Sequence, residues 1–260
     1  MPNMNIDKAL LIKVPVIITL YFWIIKILAT TVGETGADFL IFNLHFGLPK
    51  TSLLMSGLLA VILYAQIKSK TYIPWLYWIA VVMVSIVGTL ITDNLTDNLG
   101  ISLIVSTVIF SITLATIFGL WYKTEKSLSI HSIFTFRREL FYWAAILFTF
   151  ALGTAAGDLM AEHVGLGYAL SALIFGIAIA LVAICYYILK LNEILAFWLA
   201  YILTRPFGAS IGDYLSQDVA HGGLGFGTVS TSAIFLVAIV VLVSYLSISR
   251  ADSAAKQNLD

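Results

Sequence analysis

The sequence predicts an all-α integral membrane protein with eight transmembrane helices, arranged as four parallel two-helix repeats that are pseudo-symmetric about the membrane normal. Three observations predict this fold class. First, 60% of the 260 residues are hydrophobic, 11% are charged and the mean hydropathy is +1.00, values far outside the range of soluble domains. Second, apolar runs of helix length recur along the chain. Third, a tryptophan-centred motif occurs four times.

The apolar runs justify the predicted helices in order. A helix needs about 20 apolar residues to cross about 30 Å of hydrocarbon. Runs close to that length cover residues 12–33, 51–67, 73–93, 101–121, 140–161, 166–189, 194–212 and 226–248. The first run is full length and lacks the cleavage site of a signal peptide, so we interpret it as a retained helix. Cys185 is the single cysteine, which excludes a disulfide framework within the chain.

Positive charge indicates the orientation of these helices. We place the N-terminus and the connections after even-numbered helices on one side of the predicted membrane. The opposite side then contains only Lys50. That shared side collects Lys8, Lys13, Lys68, Lys70, Lys123, Lys126, Arg137, Arg138, Lys190, Arg250 and Lys256. Because positive residues accumulate on the cytoplasmic side, we expect both termini to be cytoplasmic.

The repeated motif places three residue types at fixed spacing. It is built on Trp23, Trp78, Trp143 and Trp198, each of which follows another aromatic residue. Ten residues after each tryptophan stand Gly33, Gly88, Gly153 and Gly208, and five residues further stand Asp38, Asp93, Asp158 and Asp213. We place the repeats at about 12–67, 73–121, 140–189 and 194–248, followed by a cytoplasmic tail at 249–260. Each unit has two helices, so every repeat enters the membrane in the same direction.

Four tandem two-helix repeats that share one tryptophan, with GETGAD as the most typical stretch, resemble a bacterial inner-membrane family known as a tandem repeat of unknown function. The resemblance covers nearly the whole chain. The later repeats have GTLITD, GTAAGD and GASIGD in place of GETGAD, so a role of Glu34 does not transfer to them. The resemblance implies the eight-helix architecture, the bacterial inner membrane and membrane transport, with metal cations as a candidate substrate.

Acidic residues collect near the outer ends of the odd-numbered helices. Residues four apart share a helical face, which brings Asp97 close to Asp93 and Glu162 close to Asp158. Such like charges repel unless a cation or a shared proton intervenes. The alternative is that each motif aspartate caps its helix or faces water. As a metal site we predict Asp38, Asp93, Asp158 and Asp213 with His163, because hard oxygen ligands and an occasional imidazole suit Mg²⁺, Ca²⁺ or Mn²⁺.

Two cations, Lys26 and Arg205, fall deep inside predicted helices. Basic side chains at that depth usually face the bundle interior and have a partner, so we expect Lys26 to pair with an acid of a neighbouring repeat. Arg205 is expected to pair with Glu34 or an aspartate, and Pro206 to kink the helix. Snorkelling to the interface is the alternative. The motif glycines either allow close helix packing or act as hinges.

These observations favour a secondary transporter for a cation, with divalent metals as the favoured class and proton coupling left open. Lys26, Glu34, Asp97, Glu162 and Arg205 join the four motif aspartates as the expected ion-coupling residues. The alternatives are a passive ion channel, a structural membrane scaffold and an intramembrane aspartyl protease. The protease is considered because AAGD and SIGD partly match the motif of membrane aspartyl proteases. We expect no enzymatic activity. The sequence identifies no cofactor, and a divalent cation is the candidate substrate. The expected partners are the lipid bilayer, a small cation, protons and a second copy in a homodimer, with no nucleic acid.

Overall fold

A computed structural model describes residues 12–252 of the chain, and this part is helical almost throughout. Its long helices are α1 (Leu20–Asp38), α2 (Leu48–Lys68), α3 (Pro74–Asp93), α4 (Leu103–Glu125), α5 (Phe136–Asp158), α6 (Tyr168–Tyr187), α7 (Glu193–Ser216) and α8 (Gly227–Ser249). Seven of them are long and apolar enough to cross a membrane. Such a set of helices is typical of a multi-pass membrane protein. Lys8, Lys256 and the predicted tail beyond residue 252 lie outside the described residues.

The remaining helix, α1, carries Lys26, Glu34 and Asp38, and these charges lower its mean hydropathy. It also begins at Leu20, so the predicted start at residue 12 was wrong. Residues 12–19 are not helical, because Pro15 lacks an amide hydrogen and disfavours helical geometry in the residue before it. The Thr19 side chain then caps the helix by accepting a hydrogen bond from the backbone N–H of Phe22.

The first helices of the four repeats form a closed ring. Helix α1 packs against α3, α3 against α5, α5 against α7, and α7 returns to α1. About 56–67% of the residues in the most apolar windows of α3, α5 and α7 are buried. The corresponding fraction in α2, α4, α6 and α8 is only 6–22%, so these helices form an outer layer.

Each outer helix packs mainly against the inner helix of the next repeat. Helix α2 packs against α3, α4 against α5, α6 against α7, and α8 against α1. The repeats are therefore interlocked and the last one covers the first.

The same closure is visible where the chain begins and ends. The backbone N–H groups of Val16 and Ile17 both donate to the carbonyl oxygen of Asp252, at 3.1 and 3.3 Å. Nearby, Lys13 Nζ lies 2.9 Å from a carboxylate oxygen of the buried Glu139 at the start of α5. These contacts fasten the first described residues to the end of the bundle where the inner helices begin.

Candidate functional site

The inner helices contact one another through equivalent positions of the repeat. The aromatic residue before each tryptophan packs on the tryptophan of the next repeat, and the fourth returns to the first. The ring centroids are 5.4–6.3 Å apart in the pairs Phe22–Trp78, Tyr77–Trp143, Tyr142–Trp198 and Phe197–Trp23. This aromatic layer fills one end of the ring.

The motif glycines pack in the same cyclic order. A methyl group on Gly33 would meet Ser85, on Gly88 it would meet Phe150, on Gly153 it would meet Arg205, and on Gly208 it would meet Thr30. Each of these four contacted residues lies seven positions after the motif tryptophan of its own repeat. None of the four has a positive φ angle, so the structure supports the packing interpretation of these glycines.

A stripe of residues four positions apart continues along each inner helix to the motif aspartate. Equivalent stripe residues of the four inner helices form one level of the ring. At three consecutive levels all four residues are buried, so these levels fill the ring. The level at three positions after the tryptophan contains Lys26, Val81, Ile146 and Tyr201, the next contains Thr30, Ser85, Phe150 and Arg205, and the third contains Glu34, Thr89, Thr154 and Ala209.

Beyond these filled levels, a cavity of about 360 Å³ opens at the end of the inner helices where the acids lie. Asp38, Asp93, Asp158 and Asp213 all line it, and so do Glu34, Asp97 and Glu162. None of the described residues that line this cavity is basic. The structure therefore brings together every acidic residue predicted for the site, in a single cavity.

The acids differ in depth. Asp213 is 7% exposed, and Asp38, Asp93 and Asp158 are half-buried. Asp97 and Glu162 are exposed and form the rim. In the first three repeats the α-helix ends at the motif aspartate and continues as a single π-helical turn, a local distortion that is frequent at functional sites.

His163, in contrast, does not join the predicted metal ligands. It is exposed and is not among the residues that line the cavity. It is the last residue of the third π-helical turn, and the wider π-helix changes the direction of side chains relative to the α-helix that the sequence argument assumed.

Arg205 and Glu34 form a buried ion pair at the floor of the cavity. Arg205 is fully buried, and its Nη2 lies 2.8 Å from Glu34 Oε2. The same nitrogen lies 2.5 Å from the hydroxyl oxygens of Thr89 and Thr154. Arg205 thus reaches the equivalent position in each of the other three repeats, and its predicted pairing with Glu34 is present.

Lys26 does not pair with an acid as predicted. Its Nζ is fully buried and has no hydrogen-bond partner among the described residues. It lies 4.4 Å from the ring centroid of Phe150 and 4.3 Å from that of Tyr201, so aromatic faces replace the expected carboxylate. The same Phe150 ring lies close to Arg205 as well, since the guanidinium Cζ is 5.6 Å from its centroid.

The polar residues between the motif positions were not predicted from the sequence. Thr89 and Thr154 contact Arg205 directly, but threonine is common in membrane helices and neither residue belongs to the repeated motif. The four-residue step of an inward-facing helical stripe was the signal available. Four residues before the motif aspartate, the stripe contains Thr89, Thr154 and Glu34 in the second, third and first repeats.

The arrangement can bind hard cations or protons. Its ligands are carboxylate oxygens, with Thr96, Asn98 and Gln217 adding neutral oxygen atoms to the lining. Such oxygen-only sets suit Mg²⁺, Ca²⁺ and Mn²⁺, and clustered carboxyl groups also share protons.

Comparisons of the chain with curated proteins and with solved structures find no match. A family model described as Repeat of Unknown Function (DUF347) matches four times, at residues 21–72, 76–127, 141–192 and 196–252. These matches coincide with the four helix pairs of the ring. Because they cover most of its length, the chain belongs to this family of tandem repeats.

Proposed function

We propose that this protein is a secondary membrane transporter for a small cation, with divalent metals as the favoured class. The observation that carries the proposal is the convergence of Asp38, Asp93, Asp158 and Asp213 on one cavity. Ionisable side chains inside a membrane bundle are costly and usually mark an ion or proton path. Here they come from equivalent positions of four repeats and surround a shared space.

In this proposal the protein lies in the bacterial inner membrane with both termini in the cytoplasm, and the repeats are related by an axis along the membrane normal. The clustering of cations near Lys13, Lys68 and Arg138 supports this orientation, because these residues lie at the end of the bundle opposite the acidic cavity. The cavity then opens toward the outside. The bilayer is the surrounding partner, a homodimer is compatible with the exposed outer helices, and nucleic acid is not a partner.

The filled levels beneath the cavity favour a transporter over a passive channel. Arg205, Phe150 and Lys26 are fully buried and occupy the ring below the acids. A permeating cation would meet the Arg205 guanidinium and three filled levels there, so passage requires the inner helices to rearrange. Protonation of the aspartates, or exchange of the Arg205–Glu34 pair, would couple such a rearrangement to a gradient.

An aspartyl protease is the second candidate because Asp158 and Asp213 belong to one group of carboxylates. A protease dyad needs two carboxyl groups that share a proton. Glu34 belongs to the same group and is held by Arg205, and this third acid favours cation binding over a dyad. We therefore propose that the protein is not an enzyme.

Reconstitution in liposomes tests the proposal. We expect uptake of one or more of Mg²⁺, Ca²⁺, Mn²⁺ or a monovalent cation, and a change of rate when a pH gradient is imposed. Asp38→Asn and Asp158→Asn should each reduce the rate, whereas Asp218→Asn, at an exposed position that does not line the cavity, should not. Flux that is unchanged in both cavity variants would remove these acids from the mechanism. Flux without gradient coupling would indicate a channel, and cleavage of a helical peptide would indicate the protease.

A further inference from the structure

Three of the cavity carboxylates form one close group. One oxygen each from Glu34, Asp158 and Asp213 can be chosen so that all three lie within 4.8 Å of one another. Oxygen ligands lie about 2.0–2.6 Å from Mg²⁺ or Ca²⁺, so two ligands on opposite sides of one ion are separated by up to about twice that length. Three oxygens spaced evenly around one Ca²⁺ are about 4.5 Å apart at the longest of these distances, so small side-chain movements bring all three within reach of a single ion.

Asp213 gives a second, separate indication of a ligand. It is 93% buried, since only 7% of its surface is exposed, and it lines the cavity. No described residue donates a hydrogen bond to its carboxylate or forms an ion pair with it. A buried acidic side chain without such a partner is costly, and a bound ion would supply what the protein does not.

Glu34 is shared between this group and Arg205. Its Oε2 contacts Arg205 at 2.8 Å and accepts a hydrogen bond from Thr89 at 3.3 Å. Its Oε1 has no such contact with a described residue, so this oxygen is available to a ligand in the cavity. Three carboxylates and one guanidinium leave an excess of two negative charges, which matches the charge of a divalent cation.

We infer that Glu34, Asp158 and Asp213 form a divalent-cation site, and that Arg205 competes with the bound cation for Glu34. The inference deepens the proposed function and rests on it for the identity of the substrate class. Asp38 and Asp93 line the same cavity outside this close group and deliver the ion to it. Cation binding weakens the hold of Arg205 on Glu34, and the guanidinium at the floor of the cavity is then free to move.

Equilibrium binding of Mn²⁺ to the purified full-length protein in detergent, measured by calorimetry and by the loss of the free-Mn²⁺ EPR signal, tests the site. Asp213→Asn should weaken binding by about tenfold or more, because fewer charged ligands lower the affinity of such sites. Asp218→Asn is the matched control and should change binding by less than about twofold. Wild-type affinity in Asp213→Asn would overturn the site, as would Mn²⁺ binding that Asp218→Asn reduces equally.

Arg205→Gln tests the competition. It removes the internal cation, so Mn²⁺ should bind several-fold more tightly; unchanged or weaker binding would overturn the competition. Because this variant can fail to fold, Thr89→Val provides a second test. It removes the hydroxyl that contacts both Arg205 and Glu34 and should also tighten binding.

The binding measurement distinguishes failure of this inference from failure of the proposed function. Mn²⁺ binding that depends on Asp213, in a protein that gives no flux in liposomes, would support the site and contradict the transporter. Flux that is retained with wild-type Mn²⁺ affinity in Asp213→Asn would support the transporter and contradict the site.

Discussion

At the residue scale, the two buried cations differ in how the protein accommodates them. Arg205 has a carboxylate partner in Glu34 and two threonine hydroxyls within hydrogen-bond distance. Lys26 has two aromatic faces instead and no hydrogen-bond partner among the described residues. Removing a partner from a buried ion pair is costly, whereas replacing a buried ion by an apolar side chain is often neutral or stabilising. The two sites should therefore respond differently to mutation.

Glu34→Gln should destabilise the protein strongly. The substitution leaves the Arg205 guanidinium buried without a negative partner, a change that costs about 3–5 kcal/mol in proteins. Thermal unfolding of the detergent-solubilised protein measures the effect. Glu193→Gln is the matched control, because Glu193 is largely exposed at the start of α7. Equal melting temperatures for the two variants would show that the ion pair contributes little.

Lys26→Met should leave stability unchanged or increase it. Methionine has a similar length and can pack between Phe150 and Tyr201, and no hydrogen bond to a described residue is lost. The same unfolding assay applies. A large loss of stability would indicate that the amine has a polar partner, and would contradict the aromatic environment described here.

At the element scale, the ring depends on close approach between inner helices. Each motif glycine leaves room for a larger side chain of the next repeat, and backbone–side-chain hydrogen bonds such as Thr92 Oγ1 to the Ala151 carbonyl at 2.9 Å join the same helices. Close packing and interhelical hydrogen bonds are the main forces between helices in a membrane, where lipid removes the hydrophobic driving force. The small residues are therefore required for the ring to close.

Gly88→Ala should destabilise the bundle by about 1–3 kcal/mol, the range for overpacking a tight interface. The added methyl group would lie 2.6 Å from the Phe150 Cβ and 3.1 Å from the Ala151 backbone nitrogen, so backbone must move. Gly57→Ala, in the outer helix α2, meets nothing within 4 Å and should be neutral or slightly stabilising because alanine favours helix. A Gly88→Ala protein as stable as Gly57→Ala would refute the packing role.

At the scale of the whole molecule, the four repeats close into a ring because the last outer helix covers the first inner helix. The contact of Asp252 with Val16 and Ile17 completes this closure in the backbone. Its side chain contributes as well, since the Tyr72 hydroxyl donates a hydrogen bond of 2.5 Å to a carboxylate oxygen of Asp252. The end of the last repeat is thus attached to the connection between α2 and α3.

This closure should make stability depend on pH. Burial raises the pKa of the Asp252 carboxyl above its ordinary value, although the hydrogen bond from Tyr72 lowers it in part. An acid whose pKa is higher in the folded state binds its proton more tightly there. The contribution of Asp252 to folding stability is therefore greatest at pH values below the ordinary aspartate pKa. It falls as the pH rises toward the raised pKa of the folded state.

Asp252→Asn should remove this pH dependence. Thermal unfolding from about pH 4 to pH 7 compares the variant with the wild type, and the melting temperature of the variant should decline less over that range. Parallel pH profiles for the two proteins would contradict the assignment to Asp252.

The sequence predicts the repeated parts of this molecule well and the contacts between unlike residues poorly. Identical residues at fixed spacing revealed the glycines and aspartates, and helix length revealed the eight helices apart from the start of α1. No level below the cavity holds the same residue in all four repeats, so no repeated identity marks Phe150 or Tyr201 as neighbours of Lys26. The outer helices are uniformly apolar, and nothing in their sequences states that each packs on the following repeat.

We propose that the cavity shared by the four equivalent aspartates binds a cation and opens on one side of the membrane. The most direct test replaces Asp38, Asp93, Asp158 and Asp213 by cysteine one at a time, with Cys185→Ser as background, and measures labelling in oriented vesicles by a membrane-impermeant, positively charged thiol reagent. We expect all four cysteines to react from the same side, and Mn²⁺ to slow the reactions at positions 38 and 93, where Glu34, Asp158 and Asp213 remain intact. Labelling from opposite sides, or labelling that Mn²⁺ slows at neither position 38 nor position 93, would contradict the account.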